Sequence, residues 1–192
     1  SLSQPALKQA KGTPQPLSAT RDRAVRTEGD LRRLLVPAPR GARDKSGGRG
    51  ADAWMDAAEV ASTYERPERA FSGLLEAGFR RAADVQWTEG ALDVDIRLTQ
   101  YRDLESTAAQ EAATSQQNFV EQGFGEALPD YIPGSGLGAV YVGSRVDAES
   151  GRYEGEAVAS RGDLVMDIWF SSDRPINKKR AVELARAQWG RM

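Results

Sequence analysis

Residues 161–189 read RGDLVMDIWFSSDRPINKKRAVELARAQW, and the change of period inside this stretch decides the fold. Leu164 to Phe170 has the length and composition of a strand. Beyond Asn177, a natural N-cap, Ala181, Leu184, Ala185 and Trp189 recur at helical spacing. The stretch is a strand running into a helix. Arg161-Gly162-Asp163 sits where a tight hairpin turn is required, and Gly162 supplies the backbone freedom for it, so the tripeptide reads as a turn rather than an adhesion motif.

Sliding the chain 72 residues along itself aligns 89–120 with 161–192 without a gap, and about nine of the thirty-two pairs are identical. Gly90 matches Gly162, Leu92 matches Leu164, Asp95 matches Asp167, Ile96 matches Ile168, Ala109 matches Ala181 and Glu111 matches Glu183. Internal duplication and the shared constraints of a strand-to-helix unit both produce such a pattern. Either source predicts an α+β fold: an antiparallel sheet built from two hairpin-plus-helix units, with the helices packed on one face.

The rest of the chain fits around these units. Residues 1–28 carry prolines, small polar residues and scattered charge without apolar periodicity and are read as a flexible N-terminal tether, leaving 29–192 as a single α+β domain. Leu31, Leu34, Leu35 and Val36 can dock on the core before Pro37 stops them, and 41–50 follows as a mobile loop. Trp54–Tyr64 and Pro67–Ala77 read as two short helices, with Gly78 as the stop of the second. Residues 79–101 divide at Glu89-Gly90 into a hairpin whose second half alternates strictly, Leu92, Val94, Ile96 and Leu98 against Asp93, Asp95, Arg97 and Thr99. A helix follows from Ser106 to about Val120, then a long Gly- and Pro-rich connection over 122–138, and strands over 139–146 and 153–160.

Composition removes much chemistry. The chain of 192 residues has neither His nor Cys, which excludes thiol nucleophiles, Ser-His-Asp hydrolysis and thiolate or imidazole zinc sites. A net charge of −2 offers no basis for gripping nucleic acid or an anionic bilayer. No apolar run approaches the roughly 20 residues that span a membrane. Gly134–Ala139, GSGLGA, has the letters of a dinucleotide fingerprint, but a Pro-rich loop precedes it and a strand follows, so no cofactor is implied. Lys178, Lys179 and Arg180 open the last helix as a solvated basic turn rather than an anion site.

The candidate site comes from alternation. Asp93, Asp95 and Asp167 fall on the face opposite the core, where they are either solvated or, in a hydrolase reading, an acid–base cluster. That face also presents Arg97, Tyr141, Arg145 and Trp169, and a large aromatic on a polar face anchors a partner or lines a cleft unless the N-terminal segment or loop 124–138 folds over it. Trp169, Asp167, Arg145, Tyr141, Arg97 and Asp95 are therefore the candidate ligand- or partner-binding residues.

The strand GDLVMDIWF, the following DRPINKKRAVELARAQW and the earlier YRDLESTAAQEAATSQ resemble the exported, Ala- and Arg-rich domains of actinobacterial lipoproteins, the Streptomyces type included, and more distantly the extracellular sensor domain of mycobacterial serine/threonine kinases. Arginine outnumbers lysine about fourfold, as a GC-rich actinobacterial genome would encode. The resemblance covers roughly 30–192, though the cysteines of the kinase sensors are absent here. It implies a non-enzymatic, extracytoplasmic domain tethered to the cell membrane through a lipidated cysteine upstream of Ser1, with no family catalytic residues to carry over. Such a domain would bind a membrane-associated protein partner or an envelope ligand and modulate cell-envelope stress signalling. The alternative within the same class is a small-molecule or lipid carrier. As a tether, residues 1–28 would reach roughly 30 Å.

Overall fold

The computed structural model describes residues 27–46, 53–102, 107–124 and 128–192. The predicted tether, the Ser106 cap and part of the 41–50 loop lie mostly outside them. Eight antiparallel strands form one sheet: β1 (Arg43–Asp44), β2 (Trp54–Met55), β3 (Phe79–Glu89), β4 (Leu92–Tyr101), β5 (Asp130–Tyr131), β6 (Ala139–Val146), β7 (Tyr153–Arg161) and β8 (Leu164–Ser172). Their order is β1-β3-β4-β8-β7-β6-β5, with β2 also pairing β3. Four α-helices accompany them among the described residues, α1 (Ala57–Ala61), α2 (Pro67–Glu76), α3 (Ala108–Phe124) and α4 (Lys178–Trp189), and a 3-10 turn runs over Leu31–Leu34. The α+β class is as the sequence implies.

Two tight hairpins organise the sheet. Glu89 pairs with Leu92 and Arg161 with Leu164, so Gly90 and Gly162 occupy equivalent turn positions, both at positive φ (63° and 56°). Asp163, next to Gly162, is buried: its carboxylate accepts from Gln100 Nε2 (2.7 Å) and the Thr27 amide (3.0 Å), so the Arg-Gly-Asp turn is structural. The GSGLG stretch is likewise a closed turn, in which the Ser135 hydroxyl donates to the Ile132 carbonyl and accepts from the Gly138 amide before β6 begins.

The main core holds Ile96, Leu98, Met166, Ile168 and Phe170 from the sheet beneath Leu184, Ala185 and Trp189 of α4, and Leu31 and Leu35 dock on the same face. The opposite face is also covered. Ala109, Ala113 and Val120 of α3 pack on Tyr141, Val158 and Val165, while Val60, Ala61 and Leu74 of α1 and α2 pack on Ala82. The expectation of helices on one face is thus corrected: α4 lies on one face and α1, α2 and α3 on the other. The physical reason is that the second face carries its own apolar set, Tyr101, Tyr141, Val158 and Val165, which would otherwise remain wet.

Smaller differences have local causes. Trp54 and Met55 pair with β3 instead of starting a helix, and the helix begins at Ala57, behind an Asp56 capping box with Glu59. Arg43 and Asp44 add an edge strand in the predicted loop, and Asp130–Tyr131 does the same in the 122–138 connection.

Candidate functional site

Cross-strand register arranges the second face in rows. Gln86, Asp95, Trp169, Glu156 and Tyr141 are successive Cα partners across β3, β4, β8, β7 and β6. The adjacent row runs Asp84, Arg97, Asp167, Val158 and Ala139. Five of the six residues singled out by alternation therefore fall on two neighbouring rows. Arg145 does not join them. It lies exposed within an irregular stretch of β6 between Val142 and Val146, where two extra residues interrupt the ladder and leave it without a cross-strand partner.

Arg97 is the hub. It is 3% exposed, its Nη1 donates to Thr63 Oγ1 (2.9 Å) and its Nη2 to the Tyr64 hydroxyl (3.4 Å). Its guanidinium lies 4.4 Å from the Trp169 ring centroid and 5.7 Å from that of Tyr64, so the cation is held between two aromatic side chains. Trp169 is only half-buried, whereas its neighbours Asp167 and Glu156 are buried. The Arg97 Nε and Asp167 Oδ1 are both buried without a hydrogen-bond partner among the described residues.

Two buried carboxylates thus share one guanidinium. Burial pushes Asp167 up to about 6 against the pull of Arg97. Burial, with the charge of Asp167 added, pushes Glu156 up to about 8, although Gln116 Nε2 donates to its Oε1 at 2.8 Å and Arg97 and Trp169 also lower it. Tyr101, on β4, is held neutral by burial and by Asp167. Tyr141 points beneath α3, where its hydroxyl donates to Glu121 Oε1 (2.8 Å).

The remaining acids are engaged at the open end of the strip. Burial alone would raise Asp93, but hydrogen bonds from Lys45, Thr88 and Arg152 hold it near about 2. Asp95 accepts from Gln86 Nε2 (2.8 Å). The expected solvated carboxylate face is corrected here: Asp167 is buried, and among the described residues α3 and the α1–α2 connection pack on that face. Alternation cannot foresee that, since it assigns a face without saying what lies above it. The basic turn at 178–180 is also engaged, through Lys178–Asp130 and Arg180–Glu89 (2.8 Å each).

Three contributors escaped sequence reading: Glu156, Gln116 and Tyr64. Glu156 had a signal, an acid set between Gly155 and the apolar run 157–159 of β7. Gln116 and Tyr64 had none, because their roles depend on where two helices land.

No family model matches the chain, and no curated protein does. Among solved structures it is similar to the extracellular domain of PknH from Mycobacterium tuberculosis, with 10% identity over 93% of this chain and 99% of that one and a TM-score of 0.46. It is also similar to an uncharacterized protein from Mycobacterium smegmatis, the Rv0999 ortholog, with 14% identity over 84% of this chain and 82% of that one and a TM-score of 0.31. A distant resemblance to the mycobacterial domain holds, and superposition at this level carries nothing about role.

Proposed function

We infer that the chain is a non-enzymatic, extracytoplasmic binding domain, held at the cell membrane by a lipidated cysteine upstream of Ser1, that modulates an envelope sensor by engaging a membrane-associated protein partner or envelope ligand through the Trp169 face. The observation that carries the binding reading is the half-buried Trp169 indole, stacked on a buried Arg97 and flanked by buried carboxylates. Such a surface combines apolar area with a fixed charge and is expensive to maintain for packing alone. The export and anchoring parts rest on the sequence resemblance. Among the described residues no helix is long and apolar enough to cross a membrane.

The test of anchoring is intact-mass analysis of the native chain from its host membrane fraction, where a diacylglyceryl-cysteine is expected and an unlipidated form would sink the tether. For the face, Trp169→Ala should abolish partner capture from that fraction. Arg145→Ala measures its extent: unchanged capture confines the site to the two rows, and lost capture extends it to β6.

A further inference from the structure

The second face is most open towards its Gly90 end. α1 and α2 pack on Ala82, at the far end of β3, and α3 lies over Val158 and Tyr141 of β7 and β6. Between them Trp169 is only half-buried, and so are Gln86 of β3, Ser171 of β8 and Glu154 of β7, which register places on the same face.

Two partly exposed rings lie over one buried cation here. The Arg97 guanidinium is 4.4 Å from the Trp169 centroid and 5.7 Å from that of Tyr64, a residue that is 39% exposed. The two rings are therefore no more than about 10 Å apart, within reach of one elongated ligand. Arg97 occupies one face of the indole, and among the described residues no second cation stacks on the other.

The rim of this platform offers acceptors. Gln86 Nε2 donates to two carboxylates, Asp84 (3.2 Å) and Asp95 (2.8 Å), which fixes the amide so that Oε1 is the atom left over. Ser171 Oγ donates its one hydrogen to Glu154 Oε1 (3.3 Å), so the hydroxyl lone pairs and Glu154 Oε2 also remain as acceptors. Ser171 follows Trp169 by two residues on β8, about 7 Å along the strand, a spacing that one sugar ring with its hydroxyls spans.

A ligand that satisfies this surface needs a flat apolar face bordered by hydrogen-bond donors. A simple anion lacks the donors and is repelled by Glu154. A cation laid on Trp169 would oppose the Arg97 guanidinium across a ring whose π-cloud is already engaged. A purely apolar group would leave the rim acceptors desolvated and unpaired. A pyranose is neutral, has a flat C–H face and carries its hydroxyl donors around the edge.

We propose that the Trp169 platform is a glycan-binding site: one sugar ring stacks on the outer face of the indole and donates hydroxyls to Ser171 Oγ and Glu154 Oε2, while a linked sugar reaches Gln86 Oε1 and Tyr64. The proposal rests on reading the Trp169 face as the binding surface, and it names the chemistry of the envelope ligand.

Titration of the isotope-labelled full chain with neutral trisaccharides tests this by NMR, using cellotriose, maltotriose, mannotriose and chitotriose, each to about 10 mM. At least one should shift the Trp169 indole N–H resonance, identified by its loss in Trp169→Phe, with a Kd of about 1 mM or tighter. Trp169→Ala should weaken that binding about tenfold or more, and Ser171→Ala and Glu154→Ala roughly threefold each. Backbone amide spectra check that each variant is folded, and Ser171→Ala, at a half-exposed position, keeps the test decisive should Trp169→Ala unfold. Tetramethylammonium and glucuronate, titrated alike, should leave the resonance in place. A resonance silent to every trisaccharide overturns the glycan assignment, as does a response to tetramethylammonium alone or sugar binding undiminished in Trp169→Ala. Loss of protein capture in Trp169→Ala without any sugar response removes the glycan and leaves the binding face to a protein partner, so the two readings fail separately.

Discussion

Residues 89–120 and 161–192 begin alike and end differently. Their strands not only share a pattern but lie side by side, with Ile96 opposite its own equivalent Ile168 at the centre of the β4–β8 ladder. An approximate two-fold axis normal to the sheet passes through that pair, exchanging Asp95 with Asp167 and Arg97 with Trp169. Such an axis would put both following helices on one face, yet α3 covers the Arg97 side and α4 the Ile96 side. Even the matched glutamines serve opposite faces. Gln188 of α4 is fully buried and ties the backbone of Leu34 and Val36, whereas Gln116 of α3 donates to Glu156. Equivalent strands therefore specify register, while the choice of face follows from which surface still needs cover and from how large the helix side chains are. The Leu- and Trp-bearing helix fills the deep apolar side, and the Ala- and Gln-rich one fits over a side that contains charge.

The symmetry of the strands is most severely tested at its centre. Ile96→Ala and Ile168→Ala should each cost about 2–5 kcal/mol and by similar amounts, since both side chains are fully buried on one face. Urea denaturation of the two variants checks this, and a large inequality would break the equivalence. Next comes pH. Glu156 and Asp167 bind protons more tightly folded than unfolded, so stability is highest near pH 4 to 5 and falls as pH rises through about 6 and 8, by on the order of 3 kcal/mol. Below that maximum the depressed Asp93 acts in the other direction, losing its contribution as pH falls from its unfolded value of 3.8 towards about 2. Glu156→Gln should flatten the upper limb of a melting-temperature profile.

The glutamines separate the two helices further. Gln188→Ala should cost about 2 kcal/mol because it leaves the Val36 amide without its acceptor and the Leu34 carbonyl with Arg191 Nε alone. Gln116→Ala, in a less enclosed position, should cost about 1 kcal/mol and more at high pH, where Glu156 is charged. Chemical denaturation at pH 6 and pH 9 distinguishes the pair. The smallest effect belongs to the surface contact that joins the units, Arg180 with Glu89, where Arg180→Ala should change stability by about 0.5 kcal/mol or less.

Much of this was legible residue by residue. The strict alternation of 92–99 predicted β4 and its buried Val94, Ile96 and Leu98, and Gly90 and Gly162 marked both hairpin turns. Asn177 capped α4 as expected, its side chain accepting from the Arg180 amide. At the site, alternation brought Trp169, Asp167, Arg97, Asp95 and Tyr141 to one face, because strand parity is a local property. It failed for Arg145, which sits where the β6–β7 ladder is interrupted, and for the surroundings of Asp167, where burial comes from segments far away in the chain.

The amino-acid sequence by itself determined the α+β class, the two hairpins, the position of α4 and the absence of cysteine and histidine chemistry, all of which depend on neighbours a few residues apart. Only the tertiary structure decided that α3 crosses to the second face, that Thr63 and Tyr64 close over Arg97, and that Glu156 and Asp167 compete for one guanidinium. Those outcomes turn on desolvation, and a side chain loses its water only when something distant in the chain comes to rest on top of it.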